Sequence, residues 1–206
     1  MAAQMRLMLW VLAGSFVSAC SQKVCIFDID MTLTRGAFAN ASKCNCELPK
    51  YDHGWPGVYA KQAVEECLHQ GFQVGISTAE PRVVALSKQR KEFLRQLSPR
   101  WFNETFFASE LMQYGNRNKT TGLVDILRYT KSRAECAIFF DDKLENAKYA
   151  EAVGINYQQA SDDKNDGRIP VFDADCGLNS TQFVSGMRKV YRSCNLTNYV
   201  PWSERK

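Results

Sequence analysis

Val24-Cys25-Ile26-Phe27-Asp28-Ile29-Asp30-Met31-Thr32-Leu33-Thr34 is an apolar run that delivers two carboxylates at alternate positions and then a hydroxyl. A short apolar run of this kind reads as a buried strand. Burying two like charges at its end costs heavily unless a cation or a reaction uses them. A surface loop can carry Asp-x-Asp-x-Thr by accident, but the strand context favours a functional site.

Three later segments occur in an order that one chemistry requires. Phe72-Gln73-Val74-Gly75-Ile76 is a second predicted strand, ending in Ser77-Thr78-Ala79-Glu80-Pro81 with hydroxyls just ahead of a predicted helix. Lys119 stands in Asn118-Lys119-Thr120-Thr121-Gly122, before the helical pattern Leu123 to Leu127. Cys136-Ala137-Ile138-Phe139-Phe140 is a further apolar run and terminates in Asp141-Asp142-Lys143-Leu144-Glu145-Asn146. Strand-end acid pairs therefore appear twice. Apolar strands alternating with helices imply β-α units and a mostly parallel sheet, whose ligands gather beyond the carboxyl ends of the strands.

The ordered set Asp28-x-Asp30-x-Thr32, Ser77/Thr78, Lys119 and Asp141-Asp142-x-x-x-Asn146 resembles the four motifs of the haloacid dehalogenase-like (HAD) hydrolase superfamily. The resemblance runs from about Val24 to Ile155. It implies a three-layer α/β/α Rossmann-like domain with minimal cap insertion, and a phosphate monoester hydrolase working through an aspartyl-phosphate. Two departures stand out: Met31, where many relatives have glycine, and Glu80, where some phosphatases carry arginine. Neither removes a catalytic group.

A carboxylate attacks phosphorus poorly unless the phosphate dianion is neutralised, so a magnesium ion and a lysine are expected beside it. By resemblance, Asp28 is the nucleophile. Asp30 protonates the leaving alcohol and then deprotonates water. Thr78, or alternatively Ser77, hydrogen-bonds a phosphoryl oxygen, with Thr32 a further substrate-binding candidate, and Lys119 stabilises charge on the phosphate and on Asp28. Magnesium is assigned to the Asp28 carboxylate, the Asp30 main-chain carbonyl and Asp142, supported by Asp141 and Asn146. Each group also has a bland reading. Lys119 is then an ordinary helix-start lysine, Thr78 an N-cap for a helix beginning near Pro81, and Asp141-Asp142 caps for the helix that follows. Their joint order favours catalysis.

The 206 residues suit a signal peptide over 1–19 and one compact domain over 20–206. Residues 35–55 are expected to form an active-site loop or small cap insertion, in which Phe38, Tyr51 and Trp55 read equally as an apolar lip over the site or as packing of the loop itself. A helix is predicted from Pro56-Gly57-Val58 to a stop at Gly71, and another from about Arg82 to Leu97, followed by a Phe/Trp-rich strand region. Such a small insertion leaves the mouth open, which suits an exposed phosphate monoester on a nucleotide, a sugar or a protein.

Arg6, the apolar run Leu7 to Val17 and the small residues Ser18 and Ala19 have the form of a secretory leader, short for a membrane span, with a retained anchor as the minority reading. Val17-Ser18-Ala19-Cys20 also fits a lipoprotein cleavage box. Against that stand five sequons, at Asn40, Asn103, Asn118, Asn179 and Asn195, which suit a eukaryotic secretory route to the exterior or to a lysosome-like lumen. Asn118 adjoins Lys119 and is expected to stay unmodified. Eight cysteines fit an oxidising compartment. Cys176–Cys194 is the preferred disulfide, Cys25 and Cys136 are read as reduced core residues, and Cys44-Asn45-Cys46 as a loop disulfide ahead of a zinc site.

With only His53 and His69, a histidine phosphatase lacks support. A net charge of +4 without a lysine-arginine block gives little basis for nucleic-acid or membrane targeting. Arg82, Lys88, Arg90, Lys91 and Arg95 read as the solvated face of a helix. The rival functions are a secreted phospho-ligand-binding protein without turnover, and phosphotransfer to an acceptor other than water. Oligomeric state has no signal in the chain.

Overall fold

The computed structural model describes residues 22–34, 56–115, 117–160 and 177–204. The predicted leader, the predicted 35–55 insertion with Phe38, Tyr51, Trp55 and His53, and Cys20, Cys44, Cys46 and Cys176 lie outside the described residues.

Five parallel strands form the sheet: β1 (Gln22–Phe27), β2 (Phe72–Ser77), β3 (Met112–Gln113), β4 (Ser132–Asp141) and β5 (Asn156–Gln159), in the order β3-β2-β1-β4-β5. The chain steps outward from β1 to β3, then returns to place β4 on the other side of β1. In open α/β sheets the ligand crevice lies at such a switch point. Here it falls between the carboxyl ends of β1 and β4, where Asp28 and Asp141 stand.

Among the described residues seven α-helices accompany the strands: α1 (Ala60–His69), α2 (Arg82–Ala85), α3 (Lys88–Leu97), α4 (Glu104–Phe107), α5 (Thr120–Thr130), α6 (Ala147–Glu151) and, after β5, α7 (Ser180–Ser193). Strand side chains alternate between faces, and the chemistry depends on that alternation. Cys25 meets α1 through a disulfide to Cys67, and α7 through Met187. On the same face Phe27 stacks on Phe140, which stacks on Phe183 of α7 at 5.0 and 5.5 Å between centroids. α7 approaches so closely that a Cβ at Gly186 would come within 2.6 Å of the Phe140 ring. Gly75 instead faces Ile126 of α5. Continuing the alternation, Asp28 and Asp141 project to the α5 side, where Lys119 waits at that helix's start.

Several boundaries differ from the sequence expectation. α1 begins at Ala60 rather than at Pro56-Gly57, because Gly57 N–H bonds the Leu33 carbonyl (2.7 Å) and Pro56 pairs with Thr34, drawing these residues onto the first motif. The predicted stop at Gly71 is present, with φ +75°. The 82–97 helix is broken in two: Ser87 takes an extended conformation and its side chain accepts from Arg90 N–H, capping a new helix. The Phe/Trp-rich segment is helical, since Asn103 caps α4 through Phe106 N–H, and the strand is the two residues Met112 and Gln113.

The cysteine expectations also need correction. Cys25 is bonded to Cys67 and Cys136 to Cys194, with Cα separations of 6.4 and 4.7 Å. Neither strand cysteine is reduced, and the partner of Cys194 is Cys136 rather than Cys176. Strand alternation explains this, because Cys25 and Cys136 both point at the α1/α7 layer, where Cys67 and Cys194 are carried. Among the described residues no helix is long and apolar enough to cross a membrane.

Candidate active site

Lys119 is the centre of the site. Only 3% of it is exposed, and its ammonium has three acceptors for three protons: Asp28 Oδ1, the Ser77 carbonyl (2.8 Å) and Asp141 Oδ2 (3.1 Å). The lysine thus ties together the ends of β1, β2 and β4. The Phe139 ring lies 5.5 Å beneath the nitrogen. Burial alone would pull the lysine pKa down; Asp28 and Asp141 more than reverse this and hold it above the usual value.

Asp28 is nearly buried, and its pKa rises from an ordinary 3.8 to about 7. Burial is the main cause, opposed by Lys119 and reinforced by Asp141 and then Asp30. Asp141 is wholly buried and held from several sides. Lys143 N–H reaches its Oδ1 at 2.8 Å, and the Asn146 amide donates to both oxygens at 2.9 and 3.0 Å. Asp142 beside it is half-buried. Carboxylate oxygens of Asp28, Asp141 and Asp142 lie within 4.8 Å of one another. Three carboxylates against one ammonium leave an excess of negative charge, and all the donors are hard oxygens. That set fits a small divalent cation such as magnesium.

Asp30 lies two residues beyond Asp28 in an irregular turn, Ile29–Leu33, where Met31 takes the left-handed conformation (φ 55°, ψ 7°). Its carboxylate is met at 2.8 Å by Arg90 of α3. Arg90 is 3% exposed, which overturns its reading as part of a solvated helix face. Thr32 is fully buried and its Oγ1 has no hydrogen-bond partner among the described residues, while its carbonyl accepts from Leu178 N–H.

Ser77, Thr78, Gln113, Tyr114, Lys119 and Thr121 line a cavity of about 180 Å³. The Thr78 hydroxyl accepts from Glu80 N–H (3.3 Å), bracing the turn ahead of α2; the N-cap position itself is Pro81. A Cβ at Gly122 would lie 3.0 Å from Gln113, so a glycine is what lets α5 sit this close to the strand ends. Gln113 and Tyr114 were not foreseen from sequence; neither carries a motif. Tyr157 was also missed. Its hydroxyl donates toward the Asp141 carbonyl (3.2 Å) and the Lys143 carbonyl (2.7 Å), bracing the acidic loop.

The sequence-predicted residues Asp28, Lys119, Asp141, Asp142 and Asn146 are thus brought into one cluster, with Ser77 and Thr78 on the adjoining cavity. Asp30 stands apart from that cluster, paired with Arg90.

No family model matches this chain, and no curated protein matches it. Solved structures are similar to it. The cobalt-bound deoxy-D-mannose-octulosonate 8-phosphate phosphatase of Haemophilus influenzae aligns over 85% of this chain and 90% of its own, at 16% identity and a TM-score of 0.48. A Legionella pneumophila structure described provisionally as a HAD superfamily (subfamily III A) hydrolase aligns over 84% of each chain, at 14% identity and 0.47. The N-terminal part of a Bacteroides fragilis protein containing a phosphatase domain, complexed with magnesium, aligns over 71% of this chain and 38% of its own, at 15% and 0.45. These are likenesses of fold. The functional reading rests on this chain's own strand ends.

Proposed function

We propose that the protein is a magnesium-dependent, HAD-like phosphate monoester hydrolase that works through a phosphorylated Asp28. One observation carries this reading: a buried lysine joined at once to Asp28 and Asp141, with Asp142 alongside, at the switch point of a parallel sheet. A structural ion pair needs one carboxylate. The surplus acids need a cation.

Asp141 has its oxygens engaged by Lys119, Lys143 N–H and Asn146, which suits a supporting role. Asp28, Asp142 and the Asp30 main-chain carbonyl would hold the magnesium, whose charge, when bound, neutralises the phosphate dianion. In the first step an Asp28 carboxylate oxygen bonds to phosphorus as the ester P–O bond breaks. The electron pair leaves with the alcohol oxygen, which takes a proton from the Asp30 carboxyl. In the second step water bonds to phosphorus while Asp30 removes its proton, and the P–O bond to Asp28 breaks with its pair returning to the carboxylate. Ester and water become alcohol and phosphate. Lys119 holds negative charge on Asp28 throughout, and the hydroxyls of Thr78 or Ser77, with Thr32, are assigned to the phosphoryl oxygens.

The two disulfides support passage through an oxidising, secretory compartment. Exposed sequon residues at Asn103 and Asn195 are consistent with glycosylation there.

Phosphate release from aryl, sugar and nucleotide monoesters, with magnesium or with excess chelator, tests the function in the parent protein and in Asp28→Asn. Magnesium-dependent release absent from the variant supports it. Folded parent protein that binds phosphate yet releases none supports the phospho-ligand-binding alternative instead.

A further inference from the structure

Arg90 reaches from α3 to a residue on the first motif, a separation of 60 positions. Its Nη2 donates to Asp30 Oδ1 at 2.8 Å, while its buried Nε has no hydrogen-bond partner among the described residues. Burying a guanidinium is costly, and leaving one of its donors unpaired adds to the cost. The side chain it pairs with is placed differently. Asp30 is 32% exposed, two residues beyond Asp28, in an irregular turn where its own φ/ψ (−71°, 130°) are not helical. An aspartate there, without a clamp, would sample several rotamers. The single charge-assisted hydrogen bond from Nη2 to Oδ1 restricts that freedom by holding one carboxylate oxygen.

We infer that Arg90 is a positioning residue for proton transfer: it fixes the Asp30 carboxyl through Oδ1, leaving Oδ2 to exchange the proton with the leaving alcohol and then with water. The inference rests on the phosphatase reading above. It adds that the enzyme is built for monoesters whose leaving group needs a proton, namely alkyl phosphates such as those of sugars and polyols. Proton transfer demands donor and acceptor within about 2.6–3.2 Å, so a carboxyl free to swing loses efficiency without losing its identity. The competing explanation is a plain structural tie between α3 and the β1 turn.

The two explanations separate by leaving group. 4-Nitrophenolate departs without a proton, whereas the alkoxide of glycerol phosphate does not. Turnover of both substrates is measured for the parent, Arg90→Met and Arg90→Lys, and for Arg90→Met in an Asp30→Asn background. The positioning role predicts that Arg90→Met lowers kcat for glycerol phosphate on the order of 10- to 100-fold more than for the aryl ester, with KM changed little. It also predicts that Arg90→Lys recovers part of the alkyl activity, and that no alkyl-specific loss is added once Asp30 is gone. If Arg90→Met does not fold, Arg90→Lys carries the same comparison, because it keeps the charge and stem but not the fork. Equal losses on both substrates, or none, overturn the inference and leave the phosphatase reading standing. A parent protein that turns over neither substrate overturns both.

Discussion

The Lys119 ammonium lies 3.1 Å from Asp141 Oδ2 while it also hydrogen-bonds Asp28, so one cation from the start of α5 is shared by acids at the ends of two neighbouring strands. Removing it leaves both carboxylates buried without their common partner. Lys119→Met is therefore expected to cost about 3 kcal/mol of stability in chelator, by analogy with other broken buried pairs. Magnesium should restore part of that loss, because it supplies charge to the same acids. Turnover should fall by at least about 100-fold. Thermal melts with and without magnesium, beside steady-state rates, check both expectations; equal melts for parent and variant in chelator would contradict them.

The raised pKa of Asp28 makes a pH prediction with a definite sign. In the metal-free fold this carboxyl takes its proton near pH 7, against 3.8 ordinarily. The group's contribution to stability is fully present below about pH 4 and is lost as pH rises through about 7. A bound cation requires the ionised form, so binding displaces a proton below pH 7. Magnesium affinity should climb by up to about tenfold per pH unit between about pH 5 and 7, then level off. Titration calorimetry in buffers of different ionisation enthalpy reads both affinity and proton release; a flat profile would sink the prediction.

Met31 holds a left-handed backbone with its side chain 39% exposed. A non-glycine residue pays roughly 1 kcal/mol for that conformation, part of which glycine returns through its looser unfolded chain. Met31→Gly should stabilise the protein by about 0.5 kcal/mol, and Met31→Val should destabilise it. Denaturant midpoints decide between this and a side chain retained for packing, for which glycine would be the worse residue.

Cys136–Cys194 ties β4 to α7, on the sheet face opposite the site, and closes a sequence separation of 58. Replacing both cysteines by alanine should cost about 2–4 kcal/mol. At temperatures where the variant stays folded, kcat should match the parent. Peptide mapping without reduction should recover Cys136 joined to Cys194; a Cys176–Cys194 peptide would contradict the pairing.

The candidate site cluster was legible because its parts sit at strand ends, where an abrupt change from apolar to acidic residues is visible in a single sequence. Asp28, Asp141 and Asp142 each follow such a run, and strand alternation then sends Asp28 and Asp141 to one face. Arg90 was misread, although a signal existed. It falls at helical spacing with Phe93, Leu94 and Leu97, so a charge stood on the apolar stripe. Reading 82–97 as one helix, without the break at Ser87, hid that stripe. Disulfide pairing was out of reach, since it depends on which strand face meets which helix. Gln113, Tyr114 and Tyr157 were equally hidden, because they reach the site through sheet register and loop packing rather than through a pattern of their own.

Covalent catalysis by Asp28 requires a phosphorylated aspartate, which acid quenching can trap. The protein is mixed with a radiolabelled phosphate monoester and magnesium, quenched in acid within one turnover, digested and mapped. The expected result is a hydroxylamine-sensitive label on the peptide carrying Asp28, absent in Asp28→Asn and accumulating when Asp30→Asn slows hydrolysis. Full turnover with no protein-bound label at any quench time, undiminished in Asp28→Asn, would contradict it.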